Sequence, residues 1–193
     1  MPVFDPGVAL RTRKKPDFTE RKLRSRSVYH GRLLHVLEDE VRAADGRIAR
    51  REYVRHPGAV AIVPFLDSST VVLVRQYRYP LARHFFEIPA GKIDPGETPL
   101  RTGRRELREE CGYRAATWRR LATIHPCIGY SDERIVLYVA RGLTGVGHAP
   151  DDGELLEVVP MKMAAAVRWV KAGKITDQKT VIGLLWADKF RDR

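Results

Sequence analysis

Cysteine is nearly absent from this 193-residue chain: Cys111 and Cys127 are its two thiols, which is no disulfide framework and no metal-ligand spacing. Long hydrophobic runs are missing too. No apolar stretch approaches the ~20 residues of a membrane-spanning helix. The N-terminal MPVFDPGVALRTRKKPDF has no apolar segment ahead of a small-residue cleavage site. These absences lead to the expectation of a reduced, cytoplasmic protein with no membrane partner. Acid is the scarce sign of charge, with 24 Asp and Glu against 35 Lys and Arg and a net charge of +11. Such a surface concentrates anionic ligands and can hold nucleic acid without specificity. Part of the excess lies in residues 1–27, where Arg11, Arg13, Lys14, Lys15, Arg21, Lys22, Arg24 and Arg26 face only Asp5, Asp17 and Glu20. No aromatic interleaving for base stacking accompanies them. A solvated basic arm is expected there, and no specific nucleic-acid partner.

Against these lacks stands a hydrophobic fraction of 44%, enough for the core of one domain with a small appendage. After the arm, Val28–Val36, Glu40–Ala43 and Arg50–Arg55 read as short strands, with an Asp-Gly turn signal at Ala44–Gly46. Residues 28–55 are thus expected to form an antiparallel extension. The main domain is expected over 56–193. Ala59–Phe65 and Thr70–Arg75 are apolar without alternation, the pattern of strands buried on both faces. Phe85–Ile88, Thr117–His125, Arg134–Ala140 and Glu157–Pro160 are further strand candidates. Helices are predicted over Thr98–Glu110, Met163–Ala172 and Lys179–Phe190, the first stopped by Gly112. Strands interleaved with helices in this order give an α/β/α sandwich.

The chemistry is concentrated in Gly91–Tyr113, GKIDPGETPLRTGRRELREECGY. On a helix, Glu106, Glu109 and Glu110 fall at i, i+3 and i+4 and project from one side. Three clustered carboxylates repel one another. A solvated face screened by Arg105 and Arg108 would tolerate them, and a hard divalent cation would require them, since Mg²⁺ takes oxygen ligands and keeps several waters for substrate phosphates. The Gly-rich loop with Glu97 ahead of the helix, and its apolar or small edge (Leu100, Gly103, Leu107, Cys111), favour the cation. Gly103 costs a helix roughly 1 kcal/mol against Ala, which suggests close approach to a strand.

The spacing of Gly91, Glu97, Arg105-Glu106-Leu107, Glu109-Glu110 and Gly112 resembles the Nudix box at every fixed position. The resemblance implies a Nudix α/β/α sandwich with a mixed sheet, and a hydrolase of nucleoside diphosphates linked to another moiety. It implies Mg²⁺, with Mn²⁺ able to substitute, held by Glu106 and Glu110 with Glu109 and the Ala90 carbonyl assisting. Glu97 and Arg105 would brace the loop, and Gly91 and Gly112 would shape it. Four flanking passages, His56–Val60, Arg75–Arg78, Glu87–Asp94 and Gly129–Glu133, resemble the ADP-ribose pyrophosphatases. Ile128 departs from that branch, which usually has Pro there. The branch implies a nucleoside diphosphate sugar as substrate, with ADP-ribose first and GDP-mannose second. It also implies a homodimer formed through residues 28–55, which help enclose the adenine. Arg51, Arg75, Arg78 and Glu133 become substrate-binding candidates, Arg78 because an arginine fork suits a pair of phosphate oxygens. A carboxylate of the Asp151–Glu154 loop, Glu154 or Asp152, would accept the water's proton. The competing class is a Nudix-like ligand- or RNA-binding regulator, disfavoured because every box glutamate is kept. For Cys111, Trp169 and Trp186 a place in the core is expected.

Overall fold

The computed structural model describes residues 15–147 and 155–190. The chain divides into two compact units, Met1–Tyr53 and Val54–Arg193.

The first unit carries a three-stranded sheet in the order β1-β2-β3, from β1 (Arg21–His30), β2 (His35–Arg42) and β3 (Ile48–Arg55). β1 and β2 pair antiparallel. The strand β1 takes in Arg21–Ser27, which the sequence assigns to the basic arm, and the run Val28–Val36 is broken by a turn closed from Gly31 N–H to the Leu34 carbonyl at 2.9 Å. The first difference has its cause in charge. Charge rather than hydrophobic alternation pairs β1: Arg24 donates to Glu40 at 2.7 Å and Arg26 to Glu38 at 2.8 Å, while every β1 residue is exposed. In β2 the alternation is visible, with Leu37, Asp39 and Val41 buried on one face.

The second unit contains two sheets. One runs β7-β4-β9-β8, from β4 (Ala59–Pro64), β7 (Ala90–Lys92), β8 (Tyr113–Ile124) and β9 (Ile135–Gly145). Its β4–β9 pair is parallel while β4–β7 and β8–β9 are antiparallel, which makes it a mixed sheet. The other is antiparallel, in the order β10-β5-β6, from β5 (Thr70–Arg78), β6 (Arg83–Glu87) and β10 (Leu156–Lys162). Three helices complete the unit: α1 (Pro99–Cys111), α2 (Met163–Lys171) and α3 (Gln178–Lys189).

All six residues of β4 are buried, and its pleat divides them between two cores. Ala59, Ala61 and Val63 join Met163, Ala166, Leu184 and Ala187 of α2 and α3. Val60 and Ile62 join Leu107 and Cys111 of α1. A strand with a helix layer on each face reads as an unbroken apolar run because neither face meets water. The layers are those of an α/β/α sandwich. A Cβ at Gly103 would stand 3.2 Å from Val60 Cγ1 and 3.3 Å from Trp118 Cζ3, so the glycine lets α1 sit close on β4 and β8. Trp169 packs edge-on against Phe86, whereas Trp186 is half-exposed and tilted against Phe190 rather than in the core, because it lies with Leu185 on the outer side of α3, opposite the buried Leu184 and Ala187.

Candidate active site

Thr98 caps α1 through its hydroxyl, which accepts from the Arg101 N–H at 3.3 Å, and Pro99 supplies a preset first turn. Gly112 ends the helix at φ 73°, a left-handed conformation that glycine adopts without strain, and its N–H bonds the Arg108 carbonyl at 2.9 Å. The chain turns straight into β8 there, which is why β8 starts at Tyr113, ahead of the expected Thr117.

This helix presents Glu106, Glu109 and Glu110 on one side. Glu106 and Glu110 are 8% and 4% exposed, so two carboxylates sit at the buried edge of the cluster. The short strand β7, absent from the sequence reading, runs beside them. Its Ala90 N–H donates to Glu110 Oε2 at 2.9 Å. At Gly91 a Cβ would lie 1.8 Å from Glu106 Oε1, so glycine lets the carboxylate keep this position against the backbone. Arg105 ties the loop to the helix. Its Nη1 donates to Glu106 Oε1 at 2.7 Å and Glu109 Oε2 at 3.0 Å, and its Nη2 donates to Glu97 Oε2 and the Lys92 carbonyl, both at 3.2 Å. Burial disfavours the guanidinium's charge, but Glu97, Glu106 and Glu109 outweigh it and raise its pKa. Hydrogen bonds from Arg105 and then Thr102 hold Glu97 below the usual carboxylate range.

Among the described residues no three acidic, His or Cys side chains are already drawn into a ligand set. The donors nevertheless fit Mg²⁺ or Mn²⁺. A hexahydrate-like ion needs only one or two carboxylates and fills its remaining positions with water and phosphate. Glu106 and Glu110 supply two hard anionic donors, and Gly91 lets the Glu106 carboxylate lie against the β7 backbone.

Next along β5 and β6 lies a cluster that the sequence reading missed. Glu87, 2% exposed, receives two hydrogen bonds from Arg78, at 2.7 and 2.6 Å, and one from Lys179 at 2.6 Å. Burial would push its carboxyl up, yet Arg78 and Lys179 together hold it below the usual range. Asp177 caps α3 and also pairs with Lys179 at 3.0 Å, while Thr180 Oγ1 accepts from the Ile88 N–H at 2.9 Å, pinning the loop that leads to Ala90. Arg78 is thus oriented by a buried carboxylate, half of its side chain remains exposed, and it feels the charge of Glu110. The partners of Glu87 are nine and 92 positions away in the chain; its one sequence signal is an acid inside the apolar run Phe85–Ile88.

A test follows from the charge at Glu87. Glu87→Gln should destabilise the protein by about 3 kcal/mol at pH ~7, because it strands Lys179 and Arg78. A carboxyl with a depressed folded pKa contributes stability above its unfolded pKa and loses it as pH falls through the folded value. The gap between wild type and Glu87→Gln in urea unfolding should therefore narrow by pH ~3. A gap independent of pH would refute the ion-pair account.

The other candidates are dispersed. Arg75 pairs with Glu157 at 3.2 Å on an exposed stretch of β5. Glu133 lies 3.9 Å from His56 Nε2, in a joint where Asp132 also accepts from the His56 N–H at 2.7 Å. Arg51 belongs to the first unit, bonded to Glu20. Asp152 and Glu154 lie outside the described residues. Ile128 is 84% exposed, in a turn closed from the Tyr130 and Ser131 N–H groups to the Cys127 carbonyl at 3.0 and 2.9 Å. Cys111 is buried, and burial followed by the charge of Glu110 pushes its thiol up, so it stays an unreactive core residue.

With this geometry in hand, comparison with known proteins is direct. The model of the NUDIX domain matches residues 55–181, and that of the nucleoside diphosphate sugar hydrolase N-terminal domain matches residues 20–54. The chain is 37% identical to the methanol dehydrogenase activator of Bacillus methanolicus over 86% of this chain and 91% of that one. It is 38% identical to the ADP-ribose pyrophosphatase of Mycobacterium tuberculosis (strain ATCC 25618 / H37Rv) over 83% and 79% respectively. The crystal structure of an ADP compounds hydrolase superposes with a TM-score of 0.80 over 89% of this chain and 93% of that one; at 24% identity this likeness speaks for the fold.

Proposed function

The chain belongs to the Nudix family, and from that premise we propose that it is a pyrophosphohydrolase that cleaves ADP-ribose to AMP and ribose 5-phosphate. The observation that carries this reading is the buried Glu106–Glu110 pair beside a side-chain-free Gly91, in a chain whose relatives include a protein named ADP-ribose pyrophosphatase. Members of the family generally use divalent metals, and magnesium, with manganese able to substitute, is the ion this reading assigns. Bound at Glu106 and Glu110, with Glu109 and the Ala90 carbonyl assisting, it would neutralise the diphosphate and lower the pKa of a water. Arg105 keeps the carboxylates in place. Arg78, aimed by Glu87, offers its exposed edge to phosphate oxygens. Arg75, Arg51 and Glu133 are assigned to the remainder of the substrate. The water adds to phosphorus as the bridging P–O bond breaks, and its proton passes to a carboxylate. That acceptor is assigned to Glu154 or Asp152, because carboxylates in contact with a cation have depressed pKa values and make poor bases.

The decisive experiment is a panel of nucleoside diphosphate compounds with Mg²⁺ and chromatographic separation of products. ADP-ribose should be among the best substrates and nucleoside triphosphates poor. A kcat/KM about tenfold higher for GDP-mannose, about 1.4 kcal/mol in transition-state binding, would overturn the substrate and leave the reaction class intact. A regulator that only binds its ligand would give no products at all.

We also assign a homodimer, a reduced cytoplasmic setting and a division into arm (1–27), dimerisation strands (28–55) and hydrolase domain (56–193). Support for the dimer comes from β1, which exposes Leu23, Val28 and Tyr29 and leaves one edge unpaired in its sheet. Open-edged strands with exposed apolar groups are unstable alone and recruit partners. Light scattering on the full chain should give twice its 22.0 kDa mass; an active protein with the mass of one chain would refute the assignment.

A further inference from the structure

Along α1, Arg101, Arg104, Arg105 and Arg108 fall at i, i+3, i+4 and i+7 and form one basic stripe, of which Arg105 also reaches Glu106 at 2.7 Å. Across from it β8 contributes Arg114, Ala115 and Trp118, and these residues with Glu97 line a cleft of about 460 Å³, a volume typical of small-molecule sites. Glu97 is the one acid among the lining residues, and it is committed to Arg105 at 3.2 Å and Arg101 at 3.6 Å. Arg108 leans to Glu109 at 3.2 Å. That leaves Arg104 and Arg114 with no ion pair or hydrogen bond among the described residues. Arg104 and Arg108 stand at i and i+4 on α1, where like charges repel, and the cleft's one acid, Glu97, is already paired with Arg105 and Arg101. The wall behind them is fixed. Trp118 sits against Gly103, where a Cβ would lie 3.3 Å from its ring, and edge-on to Tyr138 with centroids 6.0 Å apart.

We propose that this cleft is a second ligand site, separate from the carboxylate face of α1, which binds the phosphate chain of a small molecule carrying at least two phosphates. Guanidinium groups match phosphate oxygens in fork geometry, and several converging forks favour a chain of phosphates over a single one. Free polyphosphate and the phosphate chain of a nucleotide share this chemistry. A nucleotide would in addition set its base against Trp118 and Ala115, where aromatic and apolar surface is already in place.

Calorimetric titration of the full chain, in chelator and at physiological ionic strength, tests the proposal. Chelator removes any cation-bridged binding at the Glu106–Glu110 face, and the salt screens weak surface attraction. Tripolyphosphate and ADP are the two probes. Saturable binding of at least one is expected, weakened about tenfold or more by Arg104→Ala/Arg114→Ala, which removes two charge-assisted contacts, and unchanged by Glu110→Gln, whose carboxylate bonds the Ala90 N–H rather than a cleft arginine. Tighter binding of ADP assigns the site to nucleotides, and equal or tighter binding of tripolyphosphate assigns it to the phosphate chain alone. A thermal unfolding midpoint close to that of the wild type checks that the double variant is folded. The proposal is overturned if neither probe saturates, or if binding survives the double variant. It is also overturned if only a single-stranded oligonucleotide binds and loses affinity in that variant, since the stripe would then be a nucleic-acid face.

Discussion

Glu106→Gln and Glu110→Gln are each expected to lower kcat by at least ~10²-fold, the scale of lost electrostatic stabilisation in a transition state. Both changes keep side-chain shape and remove one negative charge. Little stability is at stake. Arg105 keeps Glu97 and Glu109 when Glu106 is neutral, and the amide oxygen of a glutamine at 110 can still accept the Ala90 N–H. The effect on unfolding free energy should therefore stay near ~1 kcal/mol, the worth of a single hydrogen bond. A rate loss far larger than the stability loss separates chemistry from folding. Chelator should abolish activity of the wild type, and both variants should need more divalent cation for half-maximal rate. Asp152→Asn or Glu154→Gln, whichever removes the proton acceptor, should lower kcat on the ~10²-fold scale of general-base loss without moving that cation requirement. Full turnover by either helix variant would sink the assignment of the cation to α1.

The elements legible in the sequence were those whose signal is local. Ala59–Phe65 reads as a doubly buried strand because both its neighbours are helix layers, and Thr98 with Gly112 marks the two ends of α1 by cap chemistry alone. The carboxylate cluster is legible for the same reason, since three residues on one helix need no tertiary information. What stayed hidden depends on distant partners. β1 is held by arginines that meet Glu38 and Glu40 across the sheet, so hydrophobic periodicity, the usual guide to a strand, has nothing to report there. Strand β7 is three residues long and is defined by its pairing with Ala59–Ala61. Glu87 is recognisable as a charge centre only once α3 brings Lys179 to it.

Gly91→Ala, a change of one methyl group, should reduce kcat about as severely as Glu106→Gln, again on the ~10²-fold scale. The backbone at Gly91 has no positive φ, so alanine fits the local conformation. The clash is with one side chain: the added Cβ would lie 1.8 Å from Oε1 and 2.1 Å from Cδ of Glu106. Strand β7 cannot retreat, because Gly91 is paired with Val60 of β4, a fully buried strand with helices on both faces. The carboxylate must therefore turn away, giving up its 2.7 Å bond to Arg105 along with its place beside the Ala90–Gly91 backbone. Thermal unfolding should change little, since Arg105 keeps Glu97 and Glu109 and a single lost hydrogen bond is worth ~1 kcal/mol. The two substitutions act through the same carboxylate, so Gly91→Ala/Glu106→Gln should be no slower than the worse single variant. Multiplied losses in the double variant would show that Gly91 serves something other than Glu106, and an unimpaired Gly91→Ala enzyme would show that this carboxylate has freedom to work from another position.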